Sequence, residues 1–567
     1  SAGVGGITLA LTTLTIGGNT LTVKAGDNVT SGTIGLTLGT VSLGGPSMRP
    51  GNPVFDVQGT AAASLNLTLG AFTDQAIAPR TITFQNSGAA QSSVTLGVAA
   101  ASLVDGTVVN VNSGANAGVT LNLNIAGALG TFAQVNVNGS SSVALGASQT
   151  VAALNGNGSV SATANSTLTI GNVLSPAVSD SVFNGVLASG ASLAVVKTGL
   201  GSLTLGGSAS NTYSGSTVIS GGTLVLAKTG GAIAVPTNLT IGVLATSAVN
   251  GTATLRLAGN EQVASSSSLT LYSGSTFNLN GNSQTLGNLI GTPSGTILNN
   301  ATGTSSTLTI GSGNATGGQF LGNIADNSTG TGTMTLIKTG TGTSALGGYN
   351  SYSGTTLVQA GSLQVGIGGV GTTGTGAVTV KNNGTILGTG VVQGSSFTAE
   401  SGSTIHAGDD TAQTSYATLT FDPVSGSGAF DFQSDSTVVL GINPGGLSDL
   451  LNFIGTGTNS LLFNGNLTVT AAAYTPVAPE IFNLLDWSGL VATPTFASRY
   501  MYTGVLSGNG DEAAGLDLPN ISGSGYGWDI SNLTFNGTIA VVSVVPEPSR
   551  VLLLALGMGL LLARRRR

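Results

Sequence analysis

The chain has 567 residues, a formal charge of −7, only 6% charged residues, 90 glycines, one histidine and no cysteine. Without cysteine there is no disulfide framework, no thiolate chemistry and no thiolate-held metal, and a single histidine rules out a multi-histidine zinc site. Five of the 14 basic residues are Arg550 and Arg564 to Arg567, so the remainder lacks the Lys and Arg clusters that phosphate binding needs, which argues against nucleic acid as a partner.

Disordered chains are poor in β-branched residues, whereas this one is rich in Val, Ile and Thr and has a positive mean hydropathy, so it is expected to fold, and as β. Its length suits several domains or one repeat array, and the glycine-rich composition favours the array. Ser1 is not an initiator methionine, and a signal peptide is expected to have been removed or to lie outside this numbering.

Residues 1–140 alternate apolar and small polar side chains, as in Ile7-Thr8-Leu9, Leu21-Thr22-Val23 and Val119-Thr120-Leu121-Asn122-Leu123. A period of two places one face inward, and these stretches predict β-coils, with Pro46, Pro50 and Pro53 marking an excursion from the stack. From 141 to 410 the sequence repeats. Ser148-Gln149-Thr150 returns as Ser283-Gln284-Thr285, and Ser166-Thr167-Leu168-Thr169-Ile170-Gly171 returns unchanged at Ser306 to Gly311. Phe183 pairs with Phe320, Lys197-Thr198-Gly199 with Lys338-Thr339-Gly340, Tyr213-Ser214-Gly215 with Tyr352-Ser353-Gly354, and Gly222-Thr223-Leu224 with Gly361-Ser362-Leu363. Two copies of one module are therefore expected, at about 141–228 and 276–366. Within each copy short alternating runs such as Leu203-Thr204-Leu205 and Thr217-Val218-Ile219 are separated by glycines suited to corners. Segments this short bury a face only when stacked on like neighbours.

The order Lys-Thr-Gly, Leu-x-Leu, Tyr-x-Gly-x-Thr, Gly-x-Leu, carried by Lys197 to Val225 and Lys338 to Val365, resembles the autotransporter-associated β-strand repeat. That resemblance implies a right-handed parallel β-helix of the kind found in passenger domains. Gly402 to Gly408 resembles the closing turn after such repeats. From 411 to 543 side chains are larger and both tryptophans, Trp487 and Trp528, appear, which predicts a C-terminal β-domain capping the solenoid. Trp528 to Leu533 followed by Gly537-Thr538-Ile539 resembles a terminal strand pair.

Residues 544–567 contain Pro546-Glu547-Pro548, an uncharged apolar run from Val551 to Ala563, and Arg564, Arg565, Arg566 and Arg567. A bilayer-spanning helix needs about 20 apolar residues, so this is a short transmembrane helix, oriented with its arginines cytoplasmic. The three features in this order resemble the PEP-CTERM sorting signal. The resemblance implies a sorting motif at Pro546, Glu547 and Pro548, an exosortase-type enzyme as partner, and a cytoplasmic stop at the arginines. It also implies anchoring in the inner membrane before release to the cell surface or extracellular matrix.

Candidate chemistry is sparse. His406 sits in a Gly-rich stretch without a Gly-x-Ser-x-Gly elbow and reads as an exposed turn residue. Glu400 with Asp409-Asp410, and Asp511-Glu512 with Asp517, lack the spacing of a calcium loop and read as solvated charge. Asp180, Glu261 and Asp326 are too dispersed to form a carboxylate pair, and Lys197, Lys338, Tyr213 and Tyr352 occur in both copies, which favours structural roles. The expectation is an all-β, exported surface or matrix protein, structural or adhesin-like, with no catalytic, cofactor or metal site. The alternative is a β-helix that binds or degrades extracellular polysaccharide.

Overall fold

The computed structural model describes residues 8–544, apart from 27, 30, 45–50, 75–77, 98–102, 114–116, 172–179, 244–251, 328–330, 409–415, 425–426, 472–473, 503–504, 507–514 and 522. The chain divides into two compact units, Ser1–Thr335 and Leu336–Arg567.

In the first unit each strand returns to lie parallel beside one from the preceding turn, which is the wiring of a β-solenoid. One sheet stacks eight strands from Thr8–Thr15 to Val186–Ala188, and a second runs from Thr20–Lys24 to Asn323–Ala325. A third wall begins at Gln149–Val151 and gives two turns three strands; after the first sheet ends at Val186–Ala188 the turns return to two strands, until Gln284–Thr285 opens another wall. Alternation sorts the side chains. Leu36, Leu67, Val94, Leu121, Val143, Val160 and Leu187 stand in register on successive rungs and fill the interior. Full burial of one such side chain contributes about 1.5–3 kcal/mol, and only a neighbour above and below supplies it. On the first rung Leu9 and Leu11, in register with Leu36 and Leu38, remain 59% and 51% exposed.

The second unit repeats this logic with three parallel walls. One stacks Thr343–Leu346, Gly361–Val365, Gly384–Gly388, Thr404–Ala407, Thr437–Asn443, Asn466–Thr470 and Leu516–Asp517. Another takes Thr356–Val358, Val378–Val380, Phe397–Ala399, Ala429–Phe432, Ser460–Phe463 and Thr495–Phe496, and the third starts at Val391–Gly394. Phenylalanines fill its interior: Phe421 and Phe453 stack at 5.1 Å, and Phe432 and Phe463 lie 5.2 Å apart.

The all-β, parallel architecture agrees with the sequence, and three details differ. Thr404–Ala407 pairs onward with Thr437–Asn443, so residues 402–408 do not close the coil. The larger side chains after 411 occupy the same parallel rungs, and among the described strands antiparallel pairing is limited to the short Leu447–Ser448 beside Thr437–Asn443 and a four-stranded sheet of Glu480–Asn483, Thr538–Ser543, Tyr526–Asp529 and Val505–Leu506. There the Tyr526–Asp529 and Thr538–Ser543 pair packs the buried Trp528, whose Nε1 donates to Pro519 O at 2.9 Å. His406 is the third difference: it lies on a strand at 7% exposure, because the turn-like glycines flank a rung rather than a loop.

No helix among the described residues is long and apolar enough to cross a membrane. The predicted transmembrane helix, Pro546, Glu547, Pro548 and Arg564 to Arg567 lie outside the described residues, as do Pro46, Pro50, Asp409, Asp410, Asp511 and Glu512.

Candidate functional site: the repeat corners and the outer faces

Each module is held at two corners. At the first, the Lys197 side chain ends strand Leu193–Lys197 pointing inward and is 2% exposed. Its ammonium has three hydrogens and meets three carbonyls: Thr198 O at 2.7 Å, Gly199 O at 3.2 Å and Gly221 O, on the next rung, at 3.2 Å. Lys338 repeats the arrangement with Thr339 O, Gly340 O and Ala360 O at 2.7, 3.0 and 3.2 Å. The lysine thus ties its own turn to the one above. Gly222 and Gly361 close over it at φ +67° and +64°, a left-handed conformation, and a Cβ on either would lie 2.4 Å from a backbone oxygen of the turn below.

At the second corner Tyr213 and Tyr352 are buried, and each hydroxyl bonds a threonine four residues on, Thr217 at 2.6 Å and Thr356 at 2.7 Å. The Tyr-x-Gly-x-Thr spacing is therefore a side-chain bridge across a turn. Both tyrosines are packing residues, as their recurrence suggested. The other repeated positions agree in register: Phe183 sits opposite Gly156 and Phe320 opposite Gly291, where the Phe320 ring fills the space the glycine leaves. Gln149 and Gln284 are buried, their amide oxygens accepting from Ala128 N and Val263 N at 3.0 Å.

Residues 195–226 and 336–365 match the passenger-associated-transport-repeat family model. This is an autotransporter-associated strand repeat, and the chain carries two copies of it, as expected for an exported passenger-type protein. No curated protein matches the chain. The side chains that define the passenger-associated repeat are thus those that brace its corners.

Burial pushes the Lys197, Lys338 and Lys228 ammoniums down to about 8; for Lys197 the nearby Asp180 acts in the opposite direction. Burial also pushes the Tyr352 and Tyr500 phenols up to about 12, and Tyr213 upward as well. Between pH 8 and about 10.4, the ordinary lysine value, the unfolded chain holds more protons on these lysines than the folded one, so stability rises with pH. Above about pH 10 the unfolded tyrosines ionise first and stability falls. The thermal midpoint by circular dichroism is expected to climb from pH 7.5 to about 10 and then drop. A midpoint falling steadily from pH 8 would show that the carbonyls hold the lysines charged.

The acidic residues weighed for chemistry do structural work. Asp180 accepts from Ser202 N and Oγ at 2.8 and 2.9 Å, Glu261 from Thr285 N and Oγ1 at 3.0 Å, and Asp326 from Met334 N at 2.7 Å. Glu400 pairs with Lys381 at the surface, and Asp517 is exposed at a strand end. Among the described residues no group of three or more His, Cys, Asp or Glu could hold a metal. Sequence reasoning missed a buried ion pair, Arg80 Nη2 to Asp74 Oδ1 at 2.7 Å, whose arginine also donates to Leu43 O at 2.7 Å. No spacing signal in the sequence marks it.

The outward faces of the first unit carry columns of uncharged polar side chains among aliphatic ones such as Val196, Val218 and Ile290. Thr223, Thr254, Thr276 and Thr296 stand in register on four rungs. Asn110, Asn136 and Asn155 form an amide ladder, with Asn136 Nδ2 donating to Asn110 Oδ1 at 2.8 Å and Asn155 Nδ2 to Asn136 Oδ1 at 3.1 Å.

Proposed function

We propose that the protein is an exported, non-catalytic scaffold whose stacked rungs carry polar faces outside the cell, where they contact matrix polysaccharide or neighbouring molecules. The observation that carries this reading is the fate of the repeat's signature residues: Lys197, Lys338, Tyr213 and Tyr352 are all consumed in corner hydrogen bonds. The repeat is therefore a device for stacking rungs, and the hydroxyls on the outward columns are left to meet a partner.

The tail at 544–567 supplies the sorting step in this proposal. Pro546, Glu547 and Pro548 are the element read by an exosortase-type enzyme, the apolar run holds the chain in the inner membrane, and the four arginines stay cytoplasmic. Replacing Arg564 to Arg567 by serine is expected to move the unprocessed protein from the membrane fraction to the soluble one, while the wild-type protein becomes accessible to protease added to intact cells. Unchanged fractionation of the variant contradicts the stop role, and full protection of the wild type contradicts surface display.

A further inference from the structure

Several corner amides in this molecule are spent. Gln149, Gln262 and Gln284 are buried and bonded to backbone, and Asn299 likewise serves its own turn. In the second unit one corner breaks that pattern. The amide nitrogens of Gln433, Asn464 and Ala497 donate to Ala399 O, Phe432 O and Phe463 O at 3.0, 2.8 and 3.0 Å, so the three residues stand one above another on successive rungs. Beside them opens a groove of about 540 Å³ lined by Asp431, Gln433, Ser434, Asn464, Ala497 and Arg499. Small-molecule sites span roughly 300–1,000 Å³.

The polar groups around this groove are only partly committed to the coil. Arg499 is held by Nη2, which donates to Asn464 O and Gly465 O, and its guanidinium carbon lies 5.5 Å from the Tyr500 ring centroid. Its Nε is buried and has no hydrogen-bond partner, so the guanidinium can reach a ligand only through its terminal nitrogens. Gln433 Nε2 reaches Asp431 Oδ2 only at 3.5 Å, and among the described residues the side chains of Ser434 and Asn464 make no hydrogen bond.

We propose that this groove binds a short stretch of neutral glycan. Asp431 and Arg499 cancel in charge, so a charged ligand gains at one and loses at the other. The walls present acceptors from the carboxylate and amide oxygens together with donors from the guanidinium, amides and hydroxyl. A sugar hydroxyl donates and accepts at once and satisfies both sets, and its bonds to the two charged groups are of the stronger, charge-assisted kind. The inference goes beyond the scaffold reading and does not depend on the sorting tail.

The test uses the full chain and measures binding to immobilised mannan, dextran, galactan and xylan, with alginate as the charged counterpart. At least one neutral polymer is expected to bind in preference to alginate. The Asp431→Ala, Gln433→Ala double variant should weaken that binding about tenfold or more, the loss expected from a charge-assisted hydrogen bond. Thr302→Ala, at an exposed turn of the first unit and off the outward columns, should leave binding unchanged. Should the double variant melt early, Ser434→Trp at an exposed turn position blocks the groove without entering the coil and should abolish binding. No binding to any neutral polymer, preference for alginate, or binding that survives these substitutions overturns the proposal.

Discussion

Gly222→Ala is expected to destabilise the first unit by about 2–5 kcal/mol, the sum of about 1–2 for a left-handed non-glycine residue and about 1–3 for overpacking. The glycine sits at φ +67°, and an added Cβ would lie 2.4 Å from both Gly199 O and Gly201 O. Neither oxygen belongs to a flexible side chain, so relief requires moving a rung. Gly361→Ala should act equally on the second unit, where Gly340 O and Gly342 O lie 2.4 and 2.6 Å from the same point. Urea unfolding followed by circular dichroism measures the effect. A loss below about 1 kcal/mol, the cost of an ordinary substitution, would contradict the stacked corner.

The second large effect is expected at the lysine. Lys197→Met keeps the length and apolar stem but removes every donor from Thr198 O, Gly199 O and Gly221 O. Each buried acceptor left without a partner costs about 1–3 kcal/mol, offset in part because no ammonium is then desolvated. A net loss of about 2–4 kcal/mol is expected on that balance. Lys381→Met is the matched control: its partner is Glu400 at the surface, where a pair contributes about 0–1 kcal/mol. Equal losses at the two lysines would show that position 197 acts through general charge rather than through its three carbonyls.

Much of this was legible in the sequence because a solenoid is written in local signals. Alternation announced the strands, and recurrence of Lys197 and Tyr213 at Lys338 and Tyr352 marked them as structural. The acceptor set of Lys197 was not legible, since backbone carbonyls leave no letter. His406 was misread because Gly402 and Gly408 frame a rung as convincingly as they would a loop. Beyond 411, larger side chains with Trp487 and Trp528 suggested a capping β-domain, yet the rings of Phe421, Phe432 and Phe453 fill the inside of parallel rungs as leucines do in the first unit. The groove was invisible for a related reason: Asp431, Asn464 and Arg499 come from successive turns, and only rung register brings them together.

Rung register is also the most direct test of the account, and a chain without cysteine makes it clean. Thr223 and Thr254 face each other on adjacent parallel strands, as do Thr385 and Thr404 in the second unit. Neighbouring strands lie about 4.8 Å apart, within reach of a disulfide. Cysteines at either pair are expected to cross-link on mild oxidation, read as a mobility shift and by mass spectrometry. A pair displaced by two positions, Thr223→Cys with Arg256→Cys, should stay reduced. Cross-linking of the displaced pair in place of the matched ones would contradict the stacked coil.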